Sequence, residues 1–539
     1  MKAKLILIFS PLFILSLLSG SFFLASRSPR PVLKQLIISS IGDASFLNPI
    51  LAQDSSSSDI CGFVFNGLLK YDRNLEIIGD LAERWEITKT KKPVITFHLR
   101  KNVLWHDGVK FTAQDALFTY KKIMDKNTNT VRRSDFMLID KAEAIDPYTF
   151  CVTYKEPFSP ALEAWTIGII PEHILAQEDI NTSKFNRNPV GTGPFVFREW
   201  VSDEKIVLTV NENYFEGKPK LDRIVYRILP ETSISEIEFL TGGLDYYGVS
   251  PHQYSRMQGQ KDIYLFKKPS LGYTYIGYNL KNPLFKDRRV RMAFDHAINK
   301  KEIVEYILYG LGEVATGPFP NHLWYSNKGV KPNFYSPEKA RALLKESGWE
   351  DKDGDGIVEK EGKSFKFTLI TNSGNDMRKD IGVLSQRYLR EIGIDVKFEL
   401  YEWSVFLKNK INPKNFDACI LGWGLSVDPD CYQIWHSSQI KSGFNFISYK
   451  NPEVDRLLTA GRREYDMQVR KEIYWKVHEL IAFDQPYTFL YVPLAISALS
   501  RRFVIEKGGE LSPVKMEKGG IFHDLIWWKV KGEEEIRVY

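Results

Sequence analysis

The chain has 539 residues, 43% of them hydrophobic and 26% charged; this excludes a disordered, collagenous or multi-span membrane protein and fits about three domains. A net charge of +6 over this length is too weak for a dedicated nucleic-acid binder, and 4 cysteines exclude a disulfide scaffold. Aromatic residues reach 13%, which suits a large buried interface or cleft.

In chain order, Lys2 and Lys4 precede an apolar run from Leu5 to Leu18, and small residues follow at Ser19, Gly20, Ser21 and Ala25. That is the layout of a secretory signal, and Leu5 to Ala25 is also long enough to span a bilayer. Residues 1–25 therefore read as a signal peptide or an uncleaved N-terminal anchor. Either one exports the body of the chain, to the periplasm or the cell surface. Ser26 to Pro31 is a linker, because its two prolines cannot continue a helix. Leu36–Ile38, Ile95–Arg100, Val207–Val210 and Arg223–Leu229 carry strand patterns. Thr112 and Asp115 have capping-box spacing ahead of a helix from Ala116 to Met124. Val290 to Leu308 shows apolar residues at helical spacing, and Ser336-Pro337 opens a helix that Gly348 closes. Phe365–Ile370 and Val396–Leu400 are strands flanking a helix around Leu384 to Ile392. Strands and helices in this irregular alternation predict α/β lobes of mixed sheet.

Most catalytic patterns fail on spacing. Gly356 to Ser364 has five residues between its glycines where a phosphate loop needs four, and a strand follows instead of a helix N-terminus. His478-Glu479 lacks the second histidine of a zinc-protease helix, since Ala482 stands there. Asp351, Asp353 and Asp355 with Gly356 match the first half of a calcium loop, but position 12 is Gly362, so a solvated acidic turn is the preferred reading. The basic residues Lys286, Arg288, Arg289 and Arg291 read as a solvated helix face. No catalytic constellation and no cofactor motif emerges. Cys419 and Cys431 are close enough in sequence to pair, but geometry alone decides that.

A series of segments then changes the picture: Gly42-Asp-Ala-Ser-Phe-Leu-Asn-Pro49, Phe65-Asn-Gly-Leu-Leu-Lys-Tyr-Asp72, Leu81-Ala-Glu-Arg-Trp85, Thr96-Phe-His-Leu-Arg-Lys101 and Trp105-His-Asp-Gly108. Phe111-Thr-Ala-Gln-Asp115, Gly191-Thr-Gly-Pro-Phe195, Asn211-Glu-Asn-Tyr-Phe215, Asp287 to Phe294 and Ala297-Ile-Asn-Lys300 continue it, as do Leu421-Gly-Trp423 and Asp428-Pro-Asp430. In this order they resemble the extracytoplasmic solute-binding proteins of ABC importers, in the dipeptide/oligopeptide-binding class. The resemblance implies a two-lobed periplasmic-binding-protein-like α/β fold of three domains. The first lobe is discontinuous (34–59, 186–275 and 501–539), an extra domain is inserted at 60–185, and the second lobe spans 276–500. It also implies a monomeric, non-enzymatic receptor that needs no cofactor and delivers an oligopeptide or other small solute to a membrane permease. An oligosaccharide or metal chelate as ligand, or an exported hydrolase, is the alternative. The matching ligand-site positions are Asp43, Ala44, Ser45, Tyr275, Gly422, Trp423, Gly424, Ser426 and Asp428. One departure stands out. Relatives that grip a free amino terminus carry an Asp shortly beyond this Trp, where this chain has Leu425 and Ser426. Asp428 either reaches that ammonium from a shifted register or is the structural residue before Pro429.

Overall fold

The computed structural model describes residues 34–88 and 90–531, and 34–531 forms one compact unit. The signal or anchor reading of residues 1–25 lies outside the described residues. Among these, no helix is long and apolar enough to cross a membrane.

A sheet of twelve strands carries the architecture. In sheet order its main path is Asp395–Tyr401, Lys366–Asn372, Ala418–Gly424, Gly272–Tyr278, Tyr487–Ser500, Tyr246–Gly248, Gln35–Ser40, Arg223–Ile228, Lys205–Val210 and Phe195–Val201. The N-terminal strand Gln35–Ser40 pairs in parallel with Arg223–Ile228, almost two hundred positions later in sequence. Tyr487–Ser500 joins the two ends of the sheet. Its first half pairs with Gly272–Tyr278, and its second half with Ile263–Pro269 and Tyr246–Gly248. A separate antiparallel sheet of four strands, Ala82–Thr88, Val94–Leu99, Thr149–Tyr154 and Ile139–Asp146, packs its inner face around Phe97, Phe150 and Trp165.

Local chemistry explains the elements that frame the site. Thr112 and Asp115 form the expected capping box on the helix Ala113–Met124, each side chain satisfying a backbone donor that the first turn leaves unpaired. The helix Ser55–Val64 is capped by Asp54, which accepts from the Ser57 amide. Gly191 and Gly193 pack directly on the end of that helix. A Cβ on Gly191 would stand 1.9 Å from the Val64 carbonyl, so only glycine allows this approach. The strand Gly272–Tyr278 is buried at every position, covered on both faces as a central strand should be.

Two expectations fail. The helix expected over Val290 to Leu308 ends after Ala297. Ile298 is extended, and Asn299 caps a second start by accepting from the Glu302 amide, so local side-chain capping overrides the periodic pattern. The basic cluster is a solvated face only in part: Lys286 and Arg289 are exposed, but Arg291 is not. Arg291 is 7% exposed and donates to the carbonyls of Phe285, Lys286, Asp484 and Gln485, closing a chain end that would otherwise leave buried acceptors unpaired. Arg288 stacks on the Phe483 ring at 3.6 Å.

Candidate functional site

The large sheet and residues between Asn129 and Gly168 border a cavity of about 1620 Å³. One wall is the loop Asp43–Phe46, the start of the helix Ser55–Val64 and the short helix Ala161–Ala164; the other includes Tyr273–Tyr275, Arg378, Trp403 and Gly422–Ser426. Eight of the nine positions singled out from the sequence line it: Asp43, Ala44, Ser45, Tyr275, Gly422, Trp423, Gly424 and Ser426.

The loop Asp43–Phe46 is pinned from behind. Ser45 and Phe46 donate their amides to Ser57 Oγ at 2.9 and 3.1 Å, and that hydroxyl donates to Asp54 Oδ2 at 2.7 Å. The Asp43 carboxylate accepts from Trp200 Nε1 and the Asp203 amide at 3.0 Å, and from the Ala44 amide at 2.8 Å. These amides are committed within the protein, so the loop meets the cavity through its carbonyls and side chains.

The opposite wall is different. The strand Ala418–Gly424 pairs along its full length with Gly272–Tyr278, from Tyr278↔Ala418 to Gly272↔Gly424. On its other edge the pairing with Lys366–Asn372 stops at Ile370↔Cys419. Thr371 Oγ1 donates to the Ile420 carbonyl, and beyond it the edge from Leu421 to Gly424 has no strand partner among the described residues. Trp423 is half-buried, donates Nε1 to the Tyr487 hydroxyl at 3.3 Å and continues a stack of rings. Tyr275 lies on Tyr487 with centroids 3.8 Å apart at 9°, and Trp423 follows at 6.3 Å and 17°. The Tyr275 hydroxyl is buried beside Tyr487, and burial, then the neighbouring Tyr487, holds it well above the usual phenol range.

Asp428 is absent from the cavity lining. Its two carboxylate oxygens accept from the two Nη atoms of Arg470 at 2.6 Å each, in a bidentate pair. Asp430, two residues on, does line the cavity and pairs with Arg462, which also reaches Asp135 at 3.3 Å.

Among the cavity residues that the sequence reading did not single out are Arg378 and Glu163. Arg378, in the first turn of the helix Asp376–Glu391, donates to Asn372 Oδ1 at 2.8 Å and stands 3.3 Å from where a Cβ on Gly422 would be. Burial pushes its guanidinium below the ordinary value, and the groups acting on it are Tyr491, Tyr275 and Cys419 rather than a carboxylate. Glu163, in the helix Ala161–Ala164, accepts from Ser426 Oγ across the cavity. No spacing rule marks either one, because each is an ordinary charged residue in a helical turn.

The calcium-loop candidate is an exposed turn. Asp351 accepts from the Gly354 and Gly356 amides, and Asp355 accepts from the Ile357 amide. The carboxylates that approach one another there are Asp351, Asp353 and Glu359, not Asp355. Glu359–Lys360 and Lys363–Ser364 form the hairpin that replaces a phosphate loop. His478 is buried, with Thr316 Oγ1 at 3.3 Å and the Asn327 amide donating to Nδ1 at 3.1 Å. All four cysteines, Cys419 and Cys431 included, are free thiols.

Comparison with known proteins gives the same architecture a lineage. The oligopeptide-binding protein AppA of Bacillus subtilis is 36% identical over 510 residues, covering 92% of each chain. The solved structure of that protein in complex with a nonapeptide superposes with a TM-score of 0.87 at 34% identity, covering 92% of this chain and 99% of that one. NikZ from Campylobacter jejuni in complex with Ni(L-His) gives 0.81 at 28% identity, covering 92% and 99%. Residues 76–443 match the family described as bacterial extracellular solute-binding proteins, family 5 middle. With the two-lobed fold, the enclosed cavity and the sequence match all in agreement, this chain belongs to the family 5 bacterial extracellular solute-binding proteins.

Proposed function

We propose that the protein is an extracytoplasmic receptor that binds an extended oligopeptide between its lobes and hands it to an ABC transporter permease. The observation that carries this reading is the outer edge of Leu421–Gly424, which borders the cavity and has no strand partner among the described residues. An extended peptide completes such an edge with main-chain hydrogen bonds, which are the same for every sequence and so tolerate varied side chains. Cavity size supports the same ligand class. About 1620 Å³ exceeds the roughly 300–1,000 Å³ of small-molecule sites, so a nickel–histidine complex or one sugar would leave much of the space to water. The relative AppA was solved with a nonapeptide.

On this reading Trp423, backed by the buried ring of Tyr275, forms an aromatic wall for ligand side chains, Gly422 and Gly424 keep the strand edge open, and Arg378 receives a ligand carboxylate. Ser45, Ala44 and Asp43 bound the cleft from the first lobe, while Asp428 supports the second lobe from behind. The domain division keeps 34–59, 186–275 and 501–539 as the first lobe, 60–185 as the insert and 276–500 as the second lobe. It is supported by the pairing of Gln35–Ser40 with Arg223–Ile228 and by the self-contained sheet between Ala82 and Tyr154. The strand Tyr487–Ser500 then serves as one crossover between lobes. Residues 1–25 export the chain, which acts as a monomer and performs no chemistry on its ligand.

Thermal-shift screening against peptides of two to ten residues, nickel–histidine and oligosaccharides tests the reading. A ligand at 100 times its Kd stabilises by about 2.7 kcal/mol. A shift with longer peptides alone is the expected result; a shift with sugars or nickel–histidine alone overturns the peptide assignment.

A further inference from the structure

Where the helix Ala161–Ala164 faces the segment from Ser426 to Asp430, four carboxylates gather around one end of the cavity. Three have a guanidinium. Asp428 is paired with Arg470, and Asp135 and Asp430 share Arg462. Glu163 differs. It accepts a hydrogen bond from Ser426 Oγ, and no Lys or Arg forms an ion pair with it among the described residues. Burial, and then the negative charges of Asp428, Asp430 and Asp135, disfavour its ionised form and push its carboxyl up to about 8. At neutral pH the cavity wall therefore presents a protonated acid inside a negative field that lacks one cation. A ligand bringing a positive charge would meet three carboxylates already engaged by two guanidiniums, and one acid able to ionise.

We propose that Glu163 receives a protonated amine of the ligand, supplied from the inserted segment rather than from the strand wall. This rests on the peptide reading above and narrows it. The amine is the peptide's amino terminus or a Lys side chain. On binding, the carboxyl loses its proton to the solvent while the ammonium keeps its own, so one proton is released and no covalent bond changes. Ser426 then orients the carboxylate, and Arg462 and Arg470 keep Asp135, Asp430 and Asp428 from competing for the amine.

The test uses three nonapeptide pools: free-amino peptides lacking Lys, Arg and His, the same peptides N-acetylated, and the acetylated peptides with one Lys added. Equilibrium dialysis with mass spectrometry reads the amount of each retained by the parent protein and by Glu163→Gln. The parent is expected to retain one of the amine-bearing pools at least tenfold better than the acetylated Lys-free pool, and Glu163→Gln to abolish that preference. Which amine-bearing pool wins identifies the source of the amine. Titration calorimetry at pH 6.5, in two buffers of different ionisation enthalpy, should show close to one proton released per cationic peptide by the parent and none by the variant. Equal retention of all three pools by the parent, or binding without proton release, overturns the assignment and leaves the peptide reading standing. Retention of no pool overturns both.

Discussion

Replacing Asp428 with Asn separates a supporting residue from a ligand-binding one. Asp428 and Arg470 meet with two 2.6 Å hydrogen bonds, and their side chains are 16% and 5% exposed. Arg470 keeps a further bond from Nε to the Gly461 carbonyl at 3.0 Å. Taking one partner from a buried pair leaves the other charge uncompensated, at a cost of about 3–5 kcal/mol. The Asn carbonyl retains one of the two bonds, so the lower end, about 3 kcal/mol, applies. For the compact unit 34–531, at about 2.1 cal/mol/K of unfolding entropy per residue, each kcal/mol moves the midpoint by about 1 °C, which gives a fall of roughly 3 °C in calorimetry. Peptide affinity at 20 °C should change less than about threefold, because Asp428 does not line the cavity. The double variant Asp428→Leu/Arg470→Met should recover most of the lost stability, since an apolar pair replaces a buried ion pair at little cost. An unchanged midpoint with binding of free-amino peptides weakened more than tenfold would refute this assignment and make Asp428 a ligand residue.

Arg378→Met should weaken peptides with a free carboxylate at least tenfold and leave C-terminally amidated or ester forms nearly unaffected, as read by titration calorimetry, because the guanidinium has no carboxylate partner among the described residues. Equal loss for both forms would mean that Arg378 only shapes the wall. Trp423→Ala removes the outer ring of the Tyr275–Tyr487 stack, and affinity should fall by roughly 2 kcal/mol, about thirtyfold, if a ligand side chain packs on that ring; unchanged affinity would place Trp423 in the core alone. His478 is fully buried, and burial lowers its pKa to about 4. Its neutral form therefore supports the fold completely above the unfolded pKa of 6.5, and that support is lost as pH falls through about 4. Urea unfolding at pH 7.5 and 4 should show the parent losing roughly 3 kcal/mol more than His478→Gln, and parallel pH profiles would count against it.

Features fixed by near neighbours in sequence were the legible ones. The Thr112/Asp115 box and the proline-opened helix at Pro337 depend on contacts within a few residues, so the pattern carries the structure. The region from Val290 to Leu308 failed because periodicity is silent about a competing cap, and Asn299 supplies one. Arg291 looked solvated because its acceptors, the carbonyls of Asp484 and Gln485, lie nearly two hundred residues away. In the cleft, the glycines and Trp423 were visible through the family's motifs. Asp428 stood in such a motif yet turns its carboxylate to Arg470, a partner 42 residues away. Arg378 and Glu163 sit in no motif, and only the fold brings them to the same cavity. Charged residues in helices default to solvent, and nothing local marks the exceptions.

The contacts between the proposed insert and the proposed second lobe bear on how such a receptor releases what it binds. Arg462 bridges Asp430 of its own lobe to Asp135 and the Ser134 carbonyl of the insert, and Gln433 donates to Asp135 at 2.6 Å. Ser159 donates its amide and hydroxyl to the Arg462 and Glu464 carbonyls, and Arg463 pairs with Glu156 at the exposed rim. These contacts are polar, whereas the core within each lobe is built from rings such as Trp165 with Phe150 or Trp435 with Tyr487. A buried ion pair roughly repays its own desolvation, and a rim pair contributes about 0–1 kcal/mol. An apolar seam of the same extent would hold the lobes together whether or not a ligand was present. A polar seam leaves closed and open forms close in free energy, so a ligand that touches both walls can decide between them. Since a ligand shifts such an equilibrium only by its difference in affinity for the two forms, contacts made from both sides at once, Glu163 and Arg378 among them, are the ones that couple binding to closure.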